Sequence, residues 1–163
     1  MSNPKLDIVQ VSPEHDAAIC EIIKRVGEEY GAVGEGFGPS DAEVSNMSQY
    51  YSLDTKSLYL VALLNNEIVG GCGIAPFAED GKICELKKLF LLKESRGLGL
   101  GKKLSIQCLE FAKQQGFEQC YLDTLSNMSQ AIKLYESLGF EHLSSPLLGT
   151  VHSGCDVWML KQL

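Results

Sequence analysis

The first third of the chain alternates apolar and polar residues in a way that predicts a strand, a helix and a glycine-rich loop. An apolar run at residues 6–11 predicts a first strand. Ser12-Pro13 supplies a cap and a first-turn proline for a helix over residues 14–29. Residues 31–39 contain four glycines, which predicts a mobile loop, and a second helix is expected over residues 40–51. The apolar face of the first helix consists of Ile19, Ile22, Ile23 and Val26.

The middle of the chain predicts three consecutive strands. Apolar runs at residues 57–64 and 67–75 flank the pair Asn65-Asn66. Because asparagine tolerates a positive φ angle, this pair predicts a tight hairpin. A third strand is expected at residues 82–92, after the turn Glu79-Asp80-Gly81.

The last third predicts two helices that alternate with strands. A helix over residues 101–116 precedes a strand at residues 119–124. Asn127 and Gln130 have the spacing of a capping box for the next helix, which is expected to end at Gly139. Residues 155–160 contribute to the closing strands of the sheet.

Residues 96–103, Arg-Gly-Leu-Gly-Leu-Gly-Lys-Lys, have the layout of a phosphate-binding loop between a strand and a helix. Glycines let the backbone approach an anion, and the first N–H groups of a helix have no partner within it. A P-loop is excluded because Arg96 stands where its first glycine should be. A dinucleotide fingerprint that starts at Gly97 fails because it ends on Lys102. The alternative is an ordinary strand-to-helix turn, although such a turn needs only one glycine.

The pattern that fits is Arg-x-x-Gly-x-Gly, and it resembles the pyrophosphate loop of the GNAT superfamily of acyl-CoA-dependent N-acetyltransferases. Upstream, residues 84–91 look like the central strand of that family. Downstream, residues 127–140 are similar to the family segment Asn-x-x-x-Ala-x-x-x-Tyr-x-x-x-Gly-Phe. The resemblance is clear over residues 57–140 and weaker at both ends. The matching positions of the downstream segment are Asn127, Ala131, Tyr135, Gly139 and Phe140.

The resemblance implies an α/β fold of the GNAT type: a mixed, mostly antiparallel sheet, helices on both faces and a splayed central strand. The length suits one N-acetyltransferase domain over residues 1–163. In this fold the loop and helix at residues 31–51 would cover the acceptor site, whereas a flexible connector is the alternative. The resemblance also implies acetyl-CoA as co-substrate. The cofactor-binding residues that it implies are Leu89, Phe90, Leu91, Arg96, Gly97, Leu98, Gly99, Leu100, Gly101, Lys102, Asn127, Ala131 and Tyr135.

Acetyl transfer to an amine needs a base for the amine and an acid for the departing thiolate. Glu85 is the candidate base, because burial in an apolar strand would raise its pKa. The alternative is an exposed glutamate that pairs with Lys87. Tyr135 is the candidate acid by resemblance, and an ordinary core tyrosine is the alternative. His152 and Asp123 are weaker candidates for the base, and a histidine in a polar loop is usually just solvated.

Composition and charge limit the partners. The net charge of −7 argues against nucleic acid. No apolar stretch has the length that spans a membrane, and the N-terminus has no apolar signal region. Six scattered cysteines without a Cys-x-x-Cys pair indicate a reduced, cytoplasmic protein. No metal site is predicted, because His15 and His142 have no partner at metal-ligand spacing.

These expectations converge on an enzyme that transfers an acetyl group from acetyl-CoA to a small-molecule amine or amino acid. The acetyl group would pass directly from acetyl-CoA to the amine in a ternary complex, because no cysteine has the surroundings of a reactive acyl-carrying thiol. Two alternatives stay open: a non-catalytic module that senses acyl-CoA, and an enzyme that acetylates protein N-termini or lysines. An edge strand near the C-terminus could also build a homodimer.

Overall fold

The computed structural model describes residues 3–163, whose strands form one sheet in the order β1-β2-β3-β4-β5-β7-β6. The β4–β5 pair is parallel, and the five other strand pairs in the described part of the chain are antiparallel. The predicted mixed, mostly antiparallel α/β fold is therefore confirmed. The strands are β1 Leu6–Gln10, β2 Leu58–Leu64, β3 Glu67–Pro76, β4 Ile83–Leu91, β5 Gln119–Thr124, β6 Glu141–Leu143 and β7 Val157–Gln162.

Helices cover both faces of this sheet, because each helix has one apolar side to bury. The first face packs against α1 and the short α2, in a core that includes Ile19, Met47 and Tyr59. The second face packs against α3 and α4, in a core that includes Leu104 and Tyr135. The helices are α1 Asp16–Glu29, α2 Met47–Tyr50, α3 Leu100–Gln114 and α4 Ser129–Ser137.

The central strand β4 separates from its parallel neighbour, as the family resemblance implied. Among the described residues, β4 pairs with β5 at Ile83–Glu85, opposite Gln119–Tyr121. Beyond Glu85 the strand continues to Leu91 against β3 alone. The gap between the two strands therefore opens toward the C-terminal end of β4, where the glycine loop follows.

A bulge in β4 lies beside this gap. The register between β3 and β4 shifts between Gly71 and Gly73, and Lys88 has a φ angle of 56°. A positive φ is uncommon for a lysine and costs conformational energy. The Lys88 carbonyl accepts a 2.9 Å hydrogen bond from the buried Tyr59 hydroxyl, which fixes the bulge from strand β2, on the far side of β3. As a result, the side chains of Lys87 and Lys88 no longer point to opposite faces, as an unbroken strand would require.

Two local predictions are wrong. Residues 40–51 do not form one helix but two short 3₁₀ segments and the single turn of α2. The capping box of α4 is also absent: the helix begins at Ser129, its N-cap is Met128, and no side chain caps it. The Asn127 amide instead donates a 2.8 Å hydrogen bond to the backbone carbonyl of Tyr30. This partner lies 97 residues away, so local spacing could not indicate it.

The predicted turns are confirmed. Asn65 and Asn66 have φ angles of 52° and 69° and join β2 to β3 as a tight hairpin. Gly139 has a φ angle of 98° directly after α4, and Gly116 has one of 91° after α3. Within residues 3–163, no helix combines the length and the apolar character that crossing a membrane requires.

Candidate active site

A cavity of about 270 Å³ opens at the gap beyond Glu85 and runs to the N-terminus of α3. Apolar side chains from β4 and α4 form its walls, and the glycine loop forms its far end. Nine of the predicted cofactor-binding residues line it, and seven of these are Leu89, Leu91, Arg96, Gly97, Gly99, Leu100 and Gly101. Lys102 and Ala131 line it as well.

The glycine loop has the geometry of an anion cradle. Gly97 and Gly99 each have a φ angle of 81°, and Gly99 is the N-cap of the 15-residue helix α3. No side chain caps this helix, so its first N–H groups face the cavity without a side-chain partner. A Cβ atom at Gly97 or Gly99 would meet nothing within 4 Å, which shows that the space above the loop is open. A pyrophosphate could therefore approach the backbone closely.

The Arg96 side chain faces α1 rather than the cradle. Its guanidinium donates to both Glu29 carboxylate oxygens, at 2.7 and 2.9 Å, and to the Leu91 carbonyl. It also lies over the Tyr30 ring, 5.5 Å from the centroid. These four hydrogen bonds leave one of its five N–H groups without a partner among the described residues. Arg96 thus fixes the shape of the loop. A contact between Arg96 and the cofactor, as predicted, would have to use the one unpaired guanidinium N–H or the backbone of Arg96.

Besides Tyr135, three predicted cofactor residues lie away from the wall of this cavity. Leu98 is partly exposed at the tip of the loop. Phe90 points to the opposite side of β4, into the core beneath α1. Asn127 reaches back to Tyr30. These positions do not test the predicted contacts, which stay predictions.

Tyr135 is buried in the core between α3, α4 and the sheet. Its ring packs edge-on against Phe140, with the centroids 5.9 Å apart. Burial raises the pKa of its hydroxyl well above the ordinary value, and the nearby Cys72 and Cys120 thiols add to this effect. The hydroxyl therefore keeps its proton at any physiological pH. Tyr135 does not line either of the cavities at the β4–β5 gap, so its role as the acid stays a prediction.

A second, smaller cavity of about 70 Å³ lies on the other side of the gap. Residues 31–46, which we call the covering segment, close it with Phe37 and Pro39. The segment is held by a 3.0 Å hydrogen bond from the Gly154 N–H to the Gly36 carbonyl. Met128 lines both cavities, so they meet at this side chain.

Four carboxylates and three basic groups form one charged cluster at this smaller cavity. Five of them line the cavity, and Asp41 and Glu43 contact these from the covering segment. The bulge turns Lys87 and Lys88 to the same side, where their ammonium groups lie 3.0 and 3.4 Å from one oxygen of Glu43. Lys88 also contacts the Asp41 carboxylate at 2.7 Å. Burial alone would raise the pKa of Glu43, but the two lysines outweigh it and lower the pKa.

His152 lies between two carboxylates. Its Nδ1 is 2.9 Å from Asp123 and its Nε2 is 2.8 Å from Asp41. Burial alone would lower the pKa of His152, but the hydrogen bonds to Asp123 and Asp41 outweigh it and raise the pKa to about 9. The same contact, together with that of Lys88, lowers the pKa of Asp41 to about 2 despite its burial. His152 is therefore an imidazolium at neutral pH and cannot accept a proton there.

Glu85 is the carboxylate in this group that is suited to accept a proton. The residue is 8% exposed, and its oxygens make no hydrogen bond within residues 3–163. The nearest cations are Lys87 at 4.0 Å and His152 at 3.8 Å. Burial raises the pKa of Glu85, Asp123 raises it further, and the attraction of Lys87 opposes this only in part. Glu85 thus has the predicted burial and the predicted raised pKa. The alternative was an exposed glutamate that pairs with Lys87; Lys87 is indeed a neighbour, but Glu85 is not exposed.

Glu85, Asp123 and His152 are also the described residues that come closest to a metal site. One donor atom from each lies within 4.8 Å of the others. The imidazolium form of His152 cannot coordinate a metal, because a ligand nitrogen must be free of its proton. The ammonium group of Lys87 beside Glu85 also opposes a bound cation. The absence of a metal stays a prediction.

Sequence reasoning missed Asp41 and Glu43 altogether and left Asp123 as a minor alternative. The His152–Asp41 contact joins residues that are 111 positions apart. These charged residues meet only because of the covering segment and the bulge at Lys88. The pattern of apolar residues along the sequence indicates neither feature. The one available signal was the run of charged residues in an otherwise apolar strand, at Glu85, Lys87 and Lys88.

Comparison with known proteins supports the interpretation of the larger cavity as a site for acetyl-CoA. The model of the acetyltransferase (GNAT) family matches residues 23–140. The N-acetyltransferase YjgM of Escherichia coli (strain K12) is 40% identical over 152 residues, which are 92% of this chain and 90% of that protein. This chain belongs to the GNAT acetyltransferase family. The predicted acetyl-CoA-dependent N-acetyltransferase is thereby confirmed.

Two further relatives bear on the fold and on the acceptor. The structure of YncA from Salmonella typhimurium, solved with its cofactor acetyl-CoA, has a TM-score of 0.77 and 21% identity. The alignment covers 96% of this chain and 93% of that one, and it confirms the GNAT fold. N-acetylaspartate synthetase of Xenopus tropicalis is 35% identical over 101 residues, which are 62% of this chain but 37% of that protein.

The glycine cradle predicts a specific effect of Gly99→Val. Wild-type protein should gain about 2.7 kcal/mol of stability at an acetyl-CoA concentration of about 100 times Kd, because only the folded state has the cradle. Valine at Gly99 should abolish this gain, since its side chain would fill the open space above the loop. Gly81→Val is the matched control, because Gly81 also has a positive φ of 71° and open space around it. Equal thermal shifts in both variants would contradict the assignment of the cradle.

The ion pairs of His152 predict that stability depends on pH. Its folded-state pKa of about 9 lies above the ordinary 6.5, so its contribution is fully present below about pH 6.5. The contribution, up to about 3 kcal/mol, is lost as the pH rises through 9. His152→Gln should remove this slope in chemical denaturation between pH 6 and 10. The exposed His142→Gln should retain it, and a wild-type curve that is flat over this range would show that His152 is not held as an imidazolium.

Proposed function

We propose that this enzyme transfers the acetyl group of acetyl-CoA directly to the amine of a small molecule or an amino acid. The observation that carries the proposal is the small cavity beside the β4–β5 gap, which has a volume of about 70 Å³ and a lining of buried charges. A cavity of this size suits a small polar molecule. An exposed lysine on a protein surface would need an open groove, whereas Phe37 and Pro39 close this one.

The position of Glu85 supports its role as the base. The amine nitrogen of the acceptor would form a bond to the thioester carbon, and Glu85 would take the proton that the nitrogen loses. The C–S bond then breaks and leaves the CoA thiolate. Tyr135, whose hydroxyl keeps its proton, would protonate that thiolate to give free CoA and the N-acetylated product. The splayed edge of β4 at Leu89 and Leu91 would hold the pantetheine arm beside these groups.

Direct transfer is supported by the state of the cysteines. Cys72, Cys84, Cys108 and Cys120 are buried in the core, where a thiol has little access to an acyl donor. Cys155 lines the small cavity, but burial raises the pKa of its thiol to about 12, and Asp123 contributes to this. A thiol of that pKa is a poor nucleophile at neutral pH. No covalent acetyl-enzyme is therefore expected.

The relatives support an amino acid as one acceptor class, because N-acetylaspartate synthetase is named for an N-acetylated amino acid. The deciding experiment is a screen of amines and all common amino acids with acetyl-CoA, read by free thiol release and by mass spectrometry. Acetylation of a small molecule at a rate above the hydrolysis of acetyl-CoA would support the proposal. Binding of acetyl-CoA without any turnover would favour a sensor, and acetylation of peptides alone would favour a protein acceptor.

Glu85→Gln should lower kcat/KM for the amine by about 10²–10⁴-fold and leave the Kd of acetyl-CoA unchanged, because only proton acceptance is lost. The wild-type rate should fall on acidification through a pKa above the ordinary 4.5 of glutamate. In the variant this acidic limb should disappear. The exposed Glu67→Gln is the control. An acidic limb that persists in Glu85→Gln would assign the base to another group.

Tyr135→Phe should keep acetyl-CoA binding and lower kcat by about 10²–10⁴-fold, because the ring still packs while the acidic hydroxyl is gone. Single-turnover kinetics with the best acceptor would measure the effect. Tyr50→Phe is the control, since that ring is exposed on α2. A loss of less than about threefold would mean that water or another group protonates the thiolate.

A further inference from the structure

The fixed wall of the small cavity carries more positive than negative charge. Lys87 and Lys88 come from β4, and His152 comes from the loop that precedes β7. Against these three cations, the same wall supplies two carboxylates, Glu85 and Asp123. The remaining negative charge comes from Asp41 and Glu43, which belong to the covering segment rather than to the sheet.

Asp41 is the most exposed member of this group. A single oxygen of its carboxylate bridges the Lys88 ammonium at 2.7 Å and His152 Nε2 at 2.8 Å. The Asp41 side chain is 22% exposed, whereas those of Lys88 and His152 are 1% and 6% exposed. The two cations are therefore buried beneath Asp41, and Asp41 is the exposed partner whose place a carboxylate from solvent could take.

Three glycines with positive φ angles lie at the start of the covering segment, whereas Val44 near its end is buried in the core. Gly31, Gly34 and Gly36 have φ angles of 76°, 97° and 89°, and a Cβ at Gly31 or Gly34 would meet nothing within 4 Å. Displacing Asp41 has an electrostatic cost, because Lys88 and His152 would each lose their shortest contact with a carboxylate. A ligand that brings its own carboxylate removes this cost, and a ligand without one does not.

We propose that the acceptor is an amino acid whose carboxylate displaces Asp41 from Lys88 and His152 and so places its amine beside Glu85. The inference rests on the proposed small-molecule function and names the substrate class. One imidazole ring joins the two ends of this site, since Nε2 faces Asp41 while Nδ1 lies 3.8 Å from Glu85. This separation suits a short amino acid. Lys88 and His152 are then the residues that determine specificity, and Asp41 is an internal stand-in for the substrate carboxylate.

The first test compares each amino acid of a panel with its own amide, which keeps the shape and the amine but removes the negative charge. Wild-type enzyme should prefer the acid by about 10²-fold or more in kcat/KM, because the amide gives Lys88 and His152 no negative charge in place of Asp41. Lys88→Met should raise KM for the acid by about 30-fold or more and change KM for the amide little. Lys113→Met, an exposed lysine on α3, is the matched control and should behave as wild type.

The second test needs no turnover. Sodium acetate should stabilise Asp41→Asn against heat, with an apparent affinity about tenfold or more above that for the wild type, because the internal competitor is gone. Acetamide should have no such effect. The exposed Asp54→Asn is the control and should match the wild type. If Asp41→Asn fails to fold, the thermal shift that acetate causes in the wild type is compared with that in Lys88→Met. The Lys88→Met variant should show no stabilisation by acetate.

Three outcomes would overturn the inference. One is equal kcat/KM for acids and amides in both the wild type and Lys88→Met. Another is the absence of any acetate effect that depends on Asp41 or Lys88. The third is strong stabilisation by Zn²⁺ alone that a chelator reverses, which would assign Glu85, Asp123 and His152 to a metal centre. If no small amine is acetylated, the proposed function fails, and the acetate measurements alone decide whether a carboxylate site exists.

Discussion

The separation of β4 from β5 is the constraint on which the rest of the molecule depends. Two parallel strands that stayed paired to their ends would bury the backbone of β4 and fill the middle of the sheet. Here the pairing described ends at Glu85, and the strand continues with β3 alone on one side. The unpaired edge leaves room for two cavities that meet at Met128. Exposed backbone N–H and C=O groups are costly in an empty apolar gap, so this edge is suited to a ligand that pairs with it.

The bulge at Lys88 gives the gap its charge. In a regular strand, Lys87 and Lys88 would lie on opposite faces, and one ammonium would be forced into the core beneath α1 or α3. The positive φ of Lys88 and its carbonyl bond to Tyr59 bring both side chains to the same side. Two buried ammonium groups are tolerable only if carboxylates surround them. The acidic residues of the covering segment supply that charge, and one of them, Asp41, also helps to raise the pKa of His152.

The sequence predicted those parts of the molecule that depend on local pattern. The strands, the hairpin at Asn65-Asn66 and the cradle between β4 and α3 each follow from a short stretch of chain, because glycine, asparagine and apolar periodicity act locally. The parts that it did not predict depend on contacts between distant residues. Arg96 was expected to face the cofactor, but it is paired with Glu29, which lies 67 residues away. Asn127 has a partner just after α1, and the charges around His152 come from three separate parts of the chain.

The same long-range contacts hold the cradle in place independently of the covering segment. Tyr30 ends α1, its ring lies under Arg96, and its carbonyl accepts the Asn127 amide. The glycine loop, the start of α4 and the end of α1 are thereby fixed to one another. The covering segment begins at the next residue, Gly31, where the chain gains conformational freedom. Motion of the segment therefore starts from a fixed point and need not disturb the cradle. In the proposed ternary complex, an acceptor could therefore enter and leave while the cradle keeps its shape.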